Sequence, residues 1–263
     1  MRSPHLLLAV FLLTGLAVAQ QLPTPEELVP RIQAYAQQYR LKVPSFEVDE
    51  SAVSQAFENG KLKREVKLEM TLRQIRDDKD PEELNDSYTV RLVDGKPPRK
   101  YLNLPPFNRK AKLPYFVRSV FSNVIGFAGK GLGECTSYRV SLGPTASTVT
   151  LDVANKPGPV PDECKGDPQG YQKTLVVERD SGRVLHVIRS MSPESAARMR
   201  DVVFADVEFA PQKLGDEIFW LPIRFTSHNG PNDRRMTATY SNFHRYTSTV
   251  KIIASDPLPE VEP

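Results

Sequence analysis

The sequence predicts an α+β protein: one antiparallel sheet of about ten strands in meander order, with an N-terminal helix and a second helix inserted mid-chain. Alternation carries the sheet. Between residues 202 and 253, Val203, Ala205, Val207 and Phe209 share one side of an extended chain, and Phe219, Leu221, Ile223 and Phe225 repeat the pattern after Leu214-Gly215-Asp216. A third run, Arg234 to His244, follows Asn229-Gly230-Pro231-Asn232-Asp233, giving three strands in succession. The same period of two recurs upstream, and only two stretches switch to a helical period.

The first nineteen residues read as an export signal, with Arg2 near the start, an apolar run from Leu6 to Val18, and Ala17-Val18-Ala19 as a small-residue cleavage site. Cleavage after Ala19 leaves no cysteine at the new N-terminus, so a periplasmic protein without a lipid anchor is expected. The body of the chain, 20–255, reads as a single domain, and 256–263, with Pro257, Pro259 and Pro263, reads as a loose tail. With 263 residues, 40% of them hydrophobic and 25% charged, the chain is long enough to bury a core. The formal charge of +3 is mild and gives no reason to expect a nucleic-acid partner. A monomer is expected.

Thr24-Pro25-Glu26-Glu27 has the form of a capping box, and Leu28, Ile32, Tyr35 and Tyr39 mark the apolar stripe of a helix ending near Leu41. Pro30 falls inside it and removes one backbone bond, so the regular helix either runs past it or begins there. Phe46 to Phe57 is extended and ends at Asn59-Gly60, the strongest short hairpin signal. Val66, Leu68, Met70 and Leu72 then alternate with charged residues, a half-buried strand with a solvated outer face. Tyr88, Val90 and Leu92 form another, stopped by Asp94-Gly95.

A long proline-bearing segment follows with Arg99, Lys100, Arg109, Lys110 and Lys112. It reads as a solvated loop or as a rim that meets an anionic membrane surface or an acidic partner. From Pro114 the period changes: Phe116, Val117, Val120, Phe121, Val124 and Ile125 form a helix stripe ended by Gly126. Gly129-Lys130-Gly131-Leu132-Gly133 follows that helix instead of opening one, so it reads as a turn and not a phosphate loop. Further hairpins are expected across Gly143-Pro144 and about Asp180-Ser181-Gly182, with a short helical turn after Ser192-Pro193.

Cys135 and Cys164 are the only cysteines, and export places them where a disulfide persists. Closing that loop would contribute roughly 3 to 4 kcal/mol; two free thiols are the alternative. Catalytic signatures do not stand out. His186, His228 and His244 fall on different strands without ligand spacing, and no Gly-x-Ser-x-Gly, His-Glu-x-x-His or Cys-x-x-Cys occurs. No catalytic residue, metal site or cofactor is therefore assigned, and an enzyme is the third reading of function.

The order helix, strands, inserted helix and long meander resembles the LolA-like superfamily of bacterial periplasmic proteins. In the C-terminal third the resemblance rests on Phe219-Trp220-Leu221-Pro222-Ile223 and the later Tyr240-Ser241-Asn242-Phe243. It implies a strongly curved, incomplete barrel whose apolar concave face is covered by helices. A bulge or a missing ladder bond in such a bent strand would accommodate Pro222. The resemblance further implies a carrier or sensor that holds a lipid acyl chain or a lipoprotein. Phe219, Leu221, Ile223 and Phe225 would line the concavity, with Phe116, Val120 and Phe121 on the lid; an ordinary packed core is the alternative for each. A reading of a different class is an envelope interaction module with no small ligand.

Overall fold

The structure is a computed structural model, and the residues described are 21–77, 79–80, 84–98, 120–121, 132–133, 135–156, 164, 170–199, 203–229 and 233–247. The expected export signal, the basic residues from Arg99 to Lys112, Phe116 and the expected tail lie outside them.

Helix α1 spans Pro25–Lys42 and starts as its residues dictate: Pro25 takes the first position, and the Thr24 amide donates to Glu27 Oε2 at 3.0 Å. The helix runs through Pro30 without a break, at a point where only one internal bond is lost. Its buried stripe is Leu28, Ile32, Ala36 and Tyr39, with Tyr35 half-buried beside it.

Ten strands follow: β1 Phe46–Glu58, β2 Lys61–Arg76, β3 Leu84–Val93, β4 Thr136–Leu142, β5 Thr148–Asn155, β6 Gln172–Glu178, β7 Val184–Ser190, β8 Phe204–Leu214, β9 Glu217–Asn229 and β10 Arg234–Arg245. A short helix, α2, spans Pro193–Met199 and packs Ala196 with Tyr171 and Met191 in a satellite core. The turns use the residues that tolerate positive φ. Asn59 and Gly60 sit at +52° and +72°, and Asp94 and Gly95 at +50° and +75°.

All ten strands form one antiparallel sheet in the order β3-β2-β1-β10-β9-β8-β7-β6-β5-β4. Two meanders, β1 to β3 and β4 to β10, are joined where the last strand pairs with the first. The register runs from Phe46↔Arg245 to Ala56↔Arg234, with a slip between Glu47 and Asp49. The sheet is open, since β3 and β4 are its two edges.

Helix contacts show that this sheet is curled. Gln33 Nε2 donates to the Leu132 carbonyl at 3.1 Å just ahead of β4, and α1 touches β4 itself. Seven residues on, the Arg40 and Val43 carbonyls accept from the Arg76 guanidinium at the end of β2. Eight strand spacings separate β2 from β4, ~38 Å on a flat sheet. Gln33 and Arg40 are only ~10 Å apart along a helix. The sheet therefore wraps around α1 as a trough, with α1 in the hollow.

Cys135 and Cys164 are joined by a disulfide across a sequence separation of 29, with Cα atoms 5.6 Å apart. It ties residue 164 to the start of β4, where the Lys156 amide also donates to the Cys135 carbonyl.

Candidate functional site

The hollow is built by alternation. Phe46, Val48, Glu50, Ala52 and Ser54 of β1 are buried, as are Val66, Leu68, Met70, Leu72 and Gln74 of β2 and Met236, Ala238 and Tyr240 of β10. The outer face is charged and paired, as by Arg73 with Glu47 at 2.6 Å and Arg91 with Asp49 at 2.9 Å. Of the mid-chain helix, Val120 and Phe121 are described, both helical and both buried. The Phe121 ring meets Tyr240 at 4.8 Å and Phe46 at 5.3 Å, both edge-on, and stands 6.2 Å from Phe243. Each such aromatic contact adds ~0.5–1.5 kcal/mol beyond the area it buries.

The residues expected to line the concavity take unequal places. Leu221 and Phe225 are buried in the main core with Val120 and Phe121, and Phe219 packs against that core half-buried. Ile223 stands apart as the extra residue of a bulge, since Glu208 pairs with Arg224 and Phe209 with Pro222. Pro222, which has no amide hydrogen to offer the ladder, sits at this bulge as expected.

A seam lies beside it. Pairing of β10 with β9 ends at Thr239↔Arg224, whereas pairing with β1 continues through Glu50↔Tyr240 to Phe46↔Arg245. Among the described residues, 217–223 of β9 are thus paired on the backbone with β8 alone, with Phe219, Trp220 and Ile223 half-buried along them. Trp220 also meets the Arg183 guanidinium, 5.3 Å from its ring centre.

Polar groups missed by the sequence reading sit in the same hollow. Glu50 is 1% exposed, and burial pushes its carboxyl up to about 8, with the Asp86 charge adding to the shift and the Tyr240 hydroxyl opposing it. Burial likewise raises the Tyr240 and Tyr39 hydroxyls and takes Tyr35 up to about 12. The signal was available: Glu50 occupies an inward position of the alternation Phe46, Val48, Glu50, Ala52. On the other half of the sheet, Lys173 and Arg189 are both buried and paired in register. Burial first, then the Arg189 charge, lowers the Lys173 amine to about 7.

Two of the three histidines pair with carboxylates. His186 Nε2 lies 2.7 Å from Asp206 Oδ1, and His228 Nε2 lies 3.2 Å from Asp233 Oδ1. His244 is exposed on β10. Among the described residues no group of three or more His, Cys, Asp or Glu is placed to hold a metal ion. A cleft of about 330 Å³ opens at the start of α1, where Thr24, Glu27, Arg31, Arg179 and Asp180 set equal numbers of opposite charges around it.

Fold and site together define a class: an open antiparallel sheet curled around a helix, with an apolar inner face and a few buried polar groups. No family model and no curated protein matches the sequence. Among solved structures the chain is similar to a putative outer membrane lipoprotein-sorting protein domain from Vibrio parahaemolyticus, at 11% identity and a TM-score of 0.45, over 84% of this chain and 92% of that one. It is similar to a DUF1329 family protein from Desulfovibrio piger at 11% identity and a TM-score of 0.42, over 84% and 91%. A LolA superfamily protein from Nitrosomonas europaea is similar at 12% identity and a TM-score of 0.35, over 88% and 99%. The architecture rests on the strand order and register above.

Proposed function

We propose that the protein is an exported, single-domain binding protein of the cell envelope that holds an acyl chain, of a lipid or of a lipid-modified protein, in the hollow of its curled sheet. The observation that carries this reading is the seam: the apolar inner face runs up to a stretch of β9 whose backbone is paired on one side only among the described residues. An acyl chain entering there would meet Phe219, Leu221, Ile223 and Phe225 on the sheet side and Phe116, Val120 and Phe121 on the helix side. An apolar wall of that kind gains ~0.8 kcal/mol for each methylene it removes from water. The disulfide suits an oxidising compartment, in keeping with a periplasmic address and removal of residues 1–19. Arg99, Lys100, Arg109, Lys110 and Lys112 would serve the same role by drawing the protein to an anionic membrane surface.

Trp220 makes the test direct, as the sole tryptophan and a neighbour of the seam. Titration with lysophospholipid is expected to shift its emission, and extraction of the purified protein is expected to release acyl lipid detectable by mass spectrometry. An unmoved spectrum and no extracted lipid would overturn the reading. The second reading, an interaction module, is favoured by a separate observation: the edge strand β4 and the β8–β9 hairpin carry Leu142 and Ile218 at 70% and 67% exposure.

A further inference from the structure

A guanidinium stands at the seam. Arg183, from the β6–β7 turn, lies over the Trp220 ring at 5.3 Å, and Trp220 falls within the stretch of β9 paired with β8 alone among the described residues. Trp220 and its neighbour Phe219 both pack half-buried against the main core. The charge therefore sits at the border of the apolar wall.

The turn that carries Arg183 is fixed in place. Gly182 is fitted against α1, where a Cβ would lie 2.5 Å from the Arg31 carbonyl carbon, and Arg31 Nη1 donates to the Arg179 carbonyl at 3.0 Å. The guanidinium itself is set by Nη1, which donates to Glu178 Oε1 at 3.2 Å. Its Nε and Nη2 donate to nothing among the described residues. Side-chain exposures of 34% for Arg183 and 31% for Glu178 leave the pair half-covered.

Those unused donors decide the chemistry. A guanidinium offers its N–H groups in a planar fork that meets two oxygens of a carboxylate or phosphate at once, and it keeps that fork while stacked on an aromatic ring. Arg183 already occupies the Trp220 ring, so a ligand cation finds a like charge there. Glu178 takes one bond, at Nη1, and leaves the Nε–Nη2 edge for a second anion.

We infer that Arg183 binds the anionic head of an amphiphile, a carboxylate or a phosphate, at its Nε–Nη2 edge, while the hydrocarbon passes Trp220 and Phe219 into the hollow. The inference deepens the acyl-chain reading and rests on it. Arg183 selects by charge, and the apolar wall holds the chain whatever its head. Two sources share this chemistry, a free fatty acid and the phosphate of a lysophospholipid.

Calorimetric titration of the full chain near neutral pH with decanoate, n-decanol and n-decylamine reads the preference. Decanoate is expected to bind roughly tenfold more tightly than either, from charge-assisted hydrogen bonds at a half-exposed site. In Arg183→Gln that preference is expected to vanish while decanol binding stays as it was. Equal or tighter binding of decanol or decylamine, or a preference that survives Arg183→Gln, would overturn the head-group site and leave the acyl-chain reading standing. Binding of none of the three would overturn both. The preference is a ratio taken within one protein, so a general loss of affinity does not imitate its loss. Should Arg183→Gln fail to unfold cooperatively, Glu178→Gln takes its place: it frees Nη1 and removes the competing carboxylate, so the preference is expected to widen, and one unchanged or narrowed would overturn the site. Lysophosphatidic acid against a fatty acid of equal chain length then identifies the source, tighter binding of the first assigning the site to a lipid phosphate and of the second to a free fatty acid.

Discussion

Between pH 5 and pH 7 the Glu50 carboxyl sets a slope on stability. Its pKa rises from an ordinary 4.5 to about 8 in the fold, so over this window the folded protein keeps a proton that the unfolded chain has lost. Stability therefore falls as pH rises, by up to about 1.4 kcal/mol per pH unit from this group. Above pH 7 a second residue opposes it. Lys173, lowered from 10.5 to about 7, loses its proton in the folded protein before it does in the unfolded chain, so its contribution rises with pH from there to about 10.5. Urea unfolding at pH 5, 6 and 7 is expected to show the Glu50 slope, and Glu50→Gln to flatten it and to raise stability at pH 7. An unchanged slope in the variant would show that the carboxyl titrates normally.

At the scale of the element, α1 and the β6–β7 turn are fitted against each other at Gly182. A Cβ there would lie 2.5 Å from the Arg31 carbonyl carbon and 2.7 Å from the Ile32 nitrogen, on a residue whose φ is +68°. The Arg31 Nη1 also donates to the Arg179 carbonyl at 3.0 Å across the same contact. Gly182→Ala is therefore expected to destabilise by about 2 to 4 kcal/mol, from strained backbone plus forced separation of helix and turn, read by chemical denaturation. Pro30→Ala acts in the opposite direction. It restores one helix bond at an exposed position and should stabilise by about 1 kcal/mol.

The same elements show what the sequence made legible. Local rules placed α1 through the Thr24–Glu27 capping box and the β1–β2 turn through Asn59-Gly60, because these act between neighbours in the chain. For Pro222 it was the LolA-like resemblance that implied a bulge or a missing ladder bond, and β9 has the bulge. The pairing of β1 with β10 was out of reach, because it joins residues such as Asp49 and Asn242, 193 positions apart, and any alternating strand offers a similar edge. The polar part of the hollow was half legible. Glu50 broke an apolar inward row, but only the fold sets Tyr240 opposite it in the register.

Across the whole molecule, stability and binding draw on the same inner face. Phe121 fills the space between Phe46, Tyr240 and Phe243, so Phe121→Ala is expected to cost about 3 to 5 kcal/mol. The Cys135–Cys164 bridge constrains the unfolded chain over its 29-residue separation, and replacing both cysteines by serine is expected to cost about 3 kcal/mol. Thermal unfolding with and without reductant checks the second value. The central claim is that the hollow admits an acyl chain from the seam between β9 and β10. Photo-crosslinking with a diazirine-bearing fatty acyl probe, followed by peptide mapping, tests it most directly. Adducts are predicted on the peptide holding Phe219 to Phe225 and on the one holding Phe121; adducts confined to the exposed edges at Leu142 and Ile218, or none at all, would contradict it.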